Sequence, residues 1–282
     1  MTKMRLGVII HNCKNGKEGL LEKKFKDAHE MGFETCQFSS WDMSLRTQDQ
    51  VDIIKKLSKK YHVEITAIIG GWTGPSAWNF YEGQLTLGIV PSAYRHIRMN
   101  ELLGAIDFAS ALGVSDVNTH LGFIPENPNE QNYKEVVAAV KHIANYAKNK
   151  NINFVFETGQ ETPITLLRLI QDVGFDNIGI NLDPANLVMY GKANPCDALD
   201  IIGNYVKGVH GKDGKYPTDP YALGNEAPIG DGVVNFPLFI EKLHKCGYQG
   251  AITIEREIQE GEQQIADIKK AQSMLQEIIN RL

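Results

Sequence analysis

The chain is poor in the features that mark several protein classes. Its four cysteines, Cys13, Cys36, Cys196 and Cys246, are scattered without a C-x-x-C pair. That leaves no disulfide framework and no thiolate zinc site to argue for, and reduced thiols in a cytoplasmic protein are expected. Positive charge is not in excess: 29 Lys and Arg against 34 Asp and Glu give a net charge of −5. No nucleic-acid partner held on a broad basic face is therefore expected. No apolar run approaches a membrane span in length, so no membrane partner is expected either. The opening Met1-Thr2-Lys3-Met4-Arg5-Leu6 leads directly into a strand pattern and lacks a signal-peptide layout. A G-x-G-x-x-G after the first strand is missing, which removes support for a dinucleotide site. No low-complexity linker divides the chain, and residues 1–282 are expected to form one domain.

What is present is an alternation of short apolar runs and helix-length segments. Strand patterns fall at 4–12, closed by His11, then at Thr35–Phe38, Ile65–Ile69, Asp116–His120, Phe154–Glu157, Ile180–Asp183, Lys207–His210 and Ile252–Glu255. Helices are expected from Gly19 to Met31, after the N-cap Thr47, over 93–112 and over 130–149. Further helices are expected from Pro163 to Val173, from Pro195 to about Asn204, from Phe236 to Cys246 and over 261–281. The last is expected to turn Ile265, Ile268, Met274, Leu275, Ile278 and Leu282 inward. Residues 73–92 form a long loop with Trp78, Phe80 and Tyr81, read as a lid or pocket wall. Eight strands alternating with eight helices predict an α/β fold, a (β/α)₈ barrel, with an open doubly wound sheet as the alternative.

Four consecutive runs in the second half end on Glu157, Asp183, His210 and Glu255. Near-continuous apolar runs are what strands of a parallel sheet look like when buried on both faces. A carboxylate closing such a run is not explained by burial, because buried acids need partners. Glu157 to Asp183 is 26 residues and Asp183 to His210 is 27, close to one βαβ step of about 30. The step from His210 to Glu255 is 45, with a polar stretch at 215–233 taking up the excess. In a barrel all four would face the same mouth. Three carboxylates without a cation would repel, and one divalent ion resolves that conflict. Three carboxylates and an imidazole suit Mn²⁺ or Mg²⁺ better than a thiolate-seeking ion.

These residues sit in longer motifs: Phe156-Glu157-Thr158-Gly159, Asn181-Leu182-Asp183-Pro184-Ala185-Asn186, Val209-His210-Gly211-Lys212-Asp213, Gly230-Asp231-Gly232-Val233-Val234-Asn235-Phe236, and Gly247-Tyr248-Gln249-Gly250 leading to Thr253-Ile254-Glu255. Together they resemble the sugar phosphate isomerase/epimerase family, the xylose-isomerase-like TIM barrels. That superfamily includes ketose 3-epimerases, hydroxypyruvate isomerase, inosose dehydratase and endonuclease IV. The resemblance implies one divalent ion on Glu157, Asp183, His210 and Glu255, with Mn²⁺ the first choice and Mg²⁺, Co²⁺ or Zn²⁺ the alternatives. It also implies that Glu157 and Glu255 carry protons on opposite faces of a substrate. The expected activity is isomerisation or epimerisation of a small keto-sugar, polyol or sugar phosphate through an enediolate. The alternatives are a dehydratase using the same metal site and a non-catalytic carbohydrate-binding barrel. The endonuclease IV branch would favour His at the positions of Gln37 and Asn186, so abasic-site cleavage is not expected.

Six further residues are expected to contact substrate. His120 closes the fourth strand. Lys212 lies two past His210 and is suited to an oxyanion or phosphate. Glu161 lies at a loop–helix junction, and Asn186 three residues past Asp183. His11 and Trp72 come from the first and third strands. Arg256 is expected to form an ion pair behind Glu255. A homo-oligomer is compatible with the sequence.

Overall fold

A computed structural model describes residues 4–14 and 19–282; the reading of the opening segment at Met1–Lys3 lies outside the described residues. The strands are β1 (Arg5–His11), β2 (Thr35–Ser40), β3 (Glu64–Gly70), β4 (Asp116–Thr119), β5 (Asn153–Glu157), β6 (Ile178–Leu182), β7 (Val206–Gly211), β8 (Asp213–Gly214), β9 (Glu226–Ala227) and β10 (Ala251–Ile254). The helices are α1 (Leu20–Glu30), α2 (Gln48–Tyr61), α3 (Gly83–Thr86), α4 (Ser92–Leu112), α5 (Gln131–Lys148), α6 (Pro163–Val173), α7 (Pro184–Met189), α8 (Pro195–Ile202), α9 (Phe236–Lys245) and α10 (Glu262–Asn280). Eight strands, all but β8 and β9, close into a parallel barrel in the order β1-β10-β7-β6-β5-β4-β3-β2. The protein is a (β/α)₈ barrel of the type expected.

The local chemistry explains the boundaries. Thr47, Thr162, Asn194 and Asn235 each accept a backbone N–H of the helix they open, so the caps read from sequence act as caps. Closure needs no special device: β1 pairs with β2 on one side and with β10 on the other, both in parallel register. The barrel interior carries a polar layer. Gln37 on β2 donates from Nε2 to Asn181 Oδ1 on β6 (2.8 Å), and Asn118 on β4 approaches Gln37 Oε1 (3.4 Å). Such a layer, drawn from alternate strands, is the arrangement a barrel of this kind imposes. Gly208 on β7 leaves room for it, since a Cβ there would lie 2.3 Å from Asn181 Oδ1.

Several expectations need correction. β2 runs on to Ser40, so Gln37 is mid-strand rather than at a strand end. β6 stops at Leu182; Asp183 is the N-cap of α7, a short helix not anticipated. The stretch at 215–233 follows β8 and contains β9, which pair as an antiparallel hairpin. Asp213 organises it by accepting the backbone N–H groups of Gly230, Gly232 and Val234. On α10, Ile265 is exposed and Met274 is half-buried, and Leu282 lies exposed beyond its end; Asp267, Ala271 and Ile279 take inward positions beside Ile268, Leu275 and Ile278. The buried residues keep one helical face along the whole helix, and Ile265 lies off that face.

The loop between β3 and α4 is tied down by Arg98 of α4. This side chain is fully buried, and its guanidinium donates to the carbonyls of Thr73, Pro75, Thr86 and Gly88. The bond to Gly88 is buried and the other three are part-buried, so the Gly88 carbonyl is the one left in need of a donor without Arg98. Arg98→Met keeps the aliphatic stem and removes the donors. Urea unfolding should show a loss of about 1–3 kcal/mol, the cost of one buried carbonyl left unpaired. A loss below about 1 kcal/mol would show that the loop is held by something else.

Candidate metal centre

Glu157 ends β5, Asp183 caps α7 after β6, His210 is on β7 and Glu255 follows β10. One ligand atom from each lies within 4.8 Å of all the others. Donors about 2.0–2.4 Å from a shared ion are separated by no more than about twice that distance, so these four can hold one divalent ion.

The imidazole sets the arrangement. His210 Nε2 faces Gln37 Oε1 at 2.9 Å, and Gln37 Nε2 is committed to Asn181. A carbonyl oxygen only accepts, so the Nε2 proton is fixed there and Nδ1 is left to point the other way. Nδ1 lies 3.2 Å from Glu157 Oε1, 3.2 Å from Glu255 Oε2 and 3.4 Å from Asp183 Oδ2. One nitrogen facing three carboxylates needs positive charge at that point. Burial alone would depress the imidazole, but Glu157 and Glu255 outweigh it and raise His210 well above its ordinary value. A proton on Nδ1 can supply the charge. A divalent ion would supply it better and release that proton. The donor set therefore fits a hard or borderline cation.

The carboxylates are positioned in turn. Glu157 Oε2 accepts from Asn118 Nδ2 (3.2 Å), and Oε1 lies 3.4 Å from both His120 Nε2 and Asn186 Nδ2. Burial would raise Glu157, but His120 and His210 hold it well below the usual carboxylate range. Asp183 is fixed by its cap bond from Asn186 N and by Thr158 Oγ1 against its backbone. Burial opposes ionisation of Glu255 too, yet Lys212 and His210 bring it down to about 2. Lys212 Nζ lies 3.1 Å from Glu255 Oε2 and also pairs with Glu257.

Above the centre is a cavity of about 370 Å³. Of the four candidate ligands only Glu157 and Glu255 reach its wall; Asp183 and His210 are fully buried behind them. Four expected substrate contacts, His11, His120, Asn186 and Lys212, line the cavity. Trp72 does not: it is buried against Trp41, and Trp41 and Trp78 form the aromatic wall instead. Glu161 is buried away from the wall, its carboxyl pushed up to about 7 by loss of water, and its neighbour Gln160 lines the cavity. Arg256 pairs with Glu226 and Asp267. A larger groove of about 640 Å³, between α2 and α4, lies outside the barrel mouth. Asn118, Gln160, Tyr190 and Trp41 are the residues that strand-end reasoning passed over, and Gln37 was placed at a strand end without a role as partner of His210. The signal for Gln37 and Asn118 was a lone amide inside an apolar strand, in Cys36-Gln37-Phe38 and Val117-Asn118-Thr119.

Residues 25–278 match the family model described as xylose isomerase-like TIM barrel, and the chain belongs to that family. It is 30% identical to a xylose isomerase domain protein from Planctomyces limnophilus, with 99% of this chain and 98% of that one covered and a TM-score of 0.90. It also resembles a D-tagatose 3-epimerase-like protein at 21% identity, with 98% and 97% covered and a TM-score of 0.74, a likeness of fold. An uncharacterized protein of Methanocaldococcus jannaschii is 27% identical over 66% of this chain, and the match spans 63% of that relative's length. Among the described residues, no helix is long and apolar enough to cross a membrane.

Gln37→Leu keeps the volume of the side chain but frees the His210 ring from its acceptor. Divalent-metal affinity should fall about 10- to 100-fold, as it does when a ligand histidine loses its outer partner. Calorimetric titration of Mn²⁺ into the metal-free protein measures this, and unchanged affinity would show that Gln37 does not orient the imidazole.

Proposed function

We propose that the chain is an enzyme, a divalent-metal-dependent isomerase or epimerase of a small keto-sugar, polyol or sugar phosphate. The observation that carries this reading is the split within the ligand set. Asp183 and His210 are sealed behind the site, whereas Glu157 and Glu255 open onto the cavity. Two carboxylates placed to touch substrate are what proton removal and return require. The fold shared with the D-tagatose 3-epimerase-like protein supports the same reading.

A divalent ion held by Glu157, Asp183, His210 and Glu255, with Mn²⁺ the first choice, would supply Lewis acidity toward a carbonyl oxygen and so acidify the neighbouring C–H. One cavity-facing glutamate takes that proton on a carboxylate oxygen, leaving an enediolate. Return of a proton from the other glutamate, which has first taken one from solvent, on the opposite face inverts the carbon and makes the reaction an epimerisation; return to the adjacent carbon makes it an aldose–ketose isomerisation. Lys212 Nζ, beside Glu255 Oε2, is placed to donate to an oxygen on which negative charge develops. His120 and Asn186, both near Glu157 Oε1, keep that carboxylate ionised and aimed. The aromatic wall of Trp41 and Trp78 excludes water and offers an apolar face to sugar C–H groups.

The test is carbon-bound deuterium uptake from heavy water with Mn²⁺, across five- and six-carbon ketoses, inososes and their phosphates. At least one member should exchange. Glu157→Gln and Glu255→Gln should each lose about 10²–10⁴-fold in turnover. Exchange of a given epimer should survive in the variant that retains the abstracting glutamate and vanish in the other. Wild-type exchange rates in both variants would rule out the two-glutamate mechanism.

A further inference from the structure

Lys212 Nζ and the candidate ion point share one oxygen. Glu255 Oε2 lies 3.2 Å from His210 Nδ1, where the carboxylates converge, and 3.1 Å from Lys212 Nζ. Lys212 is 2% exposed, so its ammonium cannot turn to water and must stay among carboxylates. Asp183 Oδ2 is farther off, at 3.9 Å. With Glu255 as its sole close partner, the ammonium would take up the charge of a ligand that a divalent ion also needs.

A further carboxylate stands at this point. Glu257, two residues past Glu255, reaches the cavity wall and pairs with the same Nζ. Its side chain is 62% exposed and free to extend into water. An exposed carboxylate gains little from a surface ion pair, so exposure does not explain its inward turn onto a buried ammonium. The backbone holds it there. The Glu257 N–H donates to both carboxylate oxygens of Glu226 on β9, each at 3.2 Å. Glu226 also pairs with Arg256 Nη1 at 2.8 Å, and Arg256 Nε with Asp267 of α10 at 2.8 Å. The segment that carries Glu255 and Glu257 is thereby clamped from the β8–β9 hairpin on one side and from α10 on the other.

We propose that Glu257 is a positioning residue that draws the Lys212 ammonium off Glu255, leaving Glu255 Oε2 to ligate the ion while Nζ stays at the cavity wall. This rests on the reading of Glu157, Asp183, His210 and Glu255 as a metal centre, and on no particular substrate. Glu257 is neither a ligand nor a proton carrier; it acts through Lys212. The carboxylates of Glu157, Asp183, Glu255 and Glu257 together outweigh a divalent ion and one ammonium by a single negative charge. That excess falls on Glu257, the most exposed of the set. Without Glu257 the ammonium has Glu255 as its one close partner and closes on it.

The test is calorimetric titration of Mn²⁺ into the metal-free full chain, as wild type, Glu257→Gln, Glu257→Asp, Lys212→Met and the double variant Glu257→Gln with Lys212→Met. The main-chain bond to Glu226 is kept in all of them. Glu257→Gln should raise the Mn²⁺ dissociation constant about 10-fold, the size of a coupling between touching side chains. Glu257→Asp keeps the charge but withdraws the carboxylate by one methylene, and should raise it by a similar factor. Lys212→Met should bind Mn²⁺ at least as tightly as the wild type. In that background Glu257→Gln should change affinity by no more than about threefold, the effect of a screened, exposed charge by itself. Wild-type affinity in Glu257→Asp would show that Glu257 acts by its charge alone and overturn the positioning role. An equal loss from Glu257→Gln with and without Lys212 would overturn it in the same way. The Asp variant decides even where Lys212→Met does not fold, since Lys212 is left in place. Unchanged affinity in Glu257→Gln would also overturn the role, while Mn²⁺ on the wild type would leave the metal centre standing. No stoichiometric Mn²⁺ on the wild type would overturn both.

Discussion

Three carboxylates converge on one buried imidazole nitrogen, and the rest of the mouth is arranged around the charge this requires. Without a cation the oxygens of Glu157, Asp183 and Glu255 repel across less than 5 Å in a place where water cannot screen them. His210 is the pivot, because a single ring atom faces all three. Its other nitrogen is anchored to Gln37, which is anchored to Asn181, so the direction of Nδ1 is set by a layer of amides in the barrel interior. A layer of that kind costs stability, and in it Asn118 Oδ1 and Asn181 Nδ2 have no partner. Its presence in place of Val, Ile or Leu is explained by what it aims.

The same barrel geometry separates holding from reacting. Ligands drawn from successive strands meet at one point, yet they differ in depth. Asp183 is pulled in by its cap bond to α7 and by Thr158. Glu157 and Glu255 stand where the cavity begins, with Lys212 beside one and His120 beside the other. An ion at this point would be gripped from below and approached from above. That layout is the one the proposed two-glutamate reaction requires.

Much of this was legible in the sequence because parallel strands read as apolar runs, and a polar residue that ends such a run stands out. The barrel, the caps at Thr162 and Asn194, and the convergence of residues 157, 183, 210 and 255 all follow from that pattern. Other features are set by distances across the barrel. Gln37 meets Asn181 although 144 residues separate them, and no periodicity links the two. Asp183-Pro184 carried the same cap-then-proline signal as Thr162-Pro163, but as a strand-end ligand Asp183 hid the helix it opens. Gln160 rather than its neighbour Glu161 lines the cavity, and Trp41 with Trp78, from other loops, rather than Trp72. Which of two adjacent turn residues faces inward depends on backbone angles that spacing does not encode. On α10 the inward stripe was extended too far: Ile265 lies to one side of the buried face, and Leu282 lies past the end of the helix.

The most direct measurement is the stoichiometry of Mn²⁺ on the metal-free protein, followed by electron paramagnetic resonance, in the wild type and in Asp183→Asn. Asp183 does not reach the cavity, so its loss tests the ion site apart from any proton transfer. One Mn²⁺ per chain is expected in the wild type, with binding sharply weakened in the variant. Absence of stoichiometric binding, or binding undiminished in Asp183→Asn, would contradict the claim that these four residues form a metal centre.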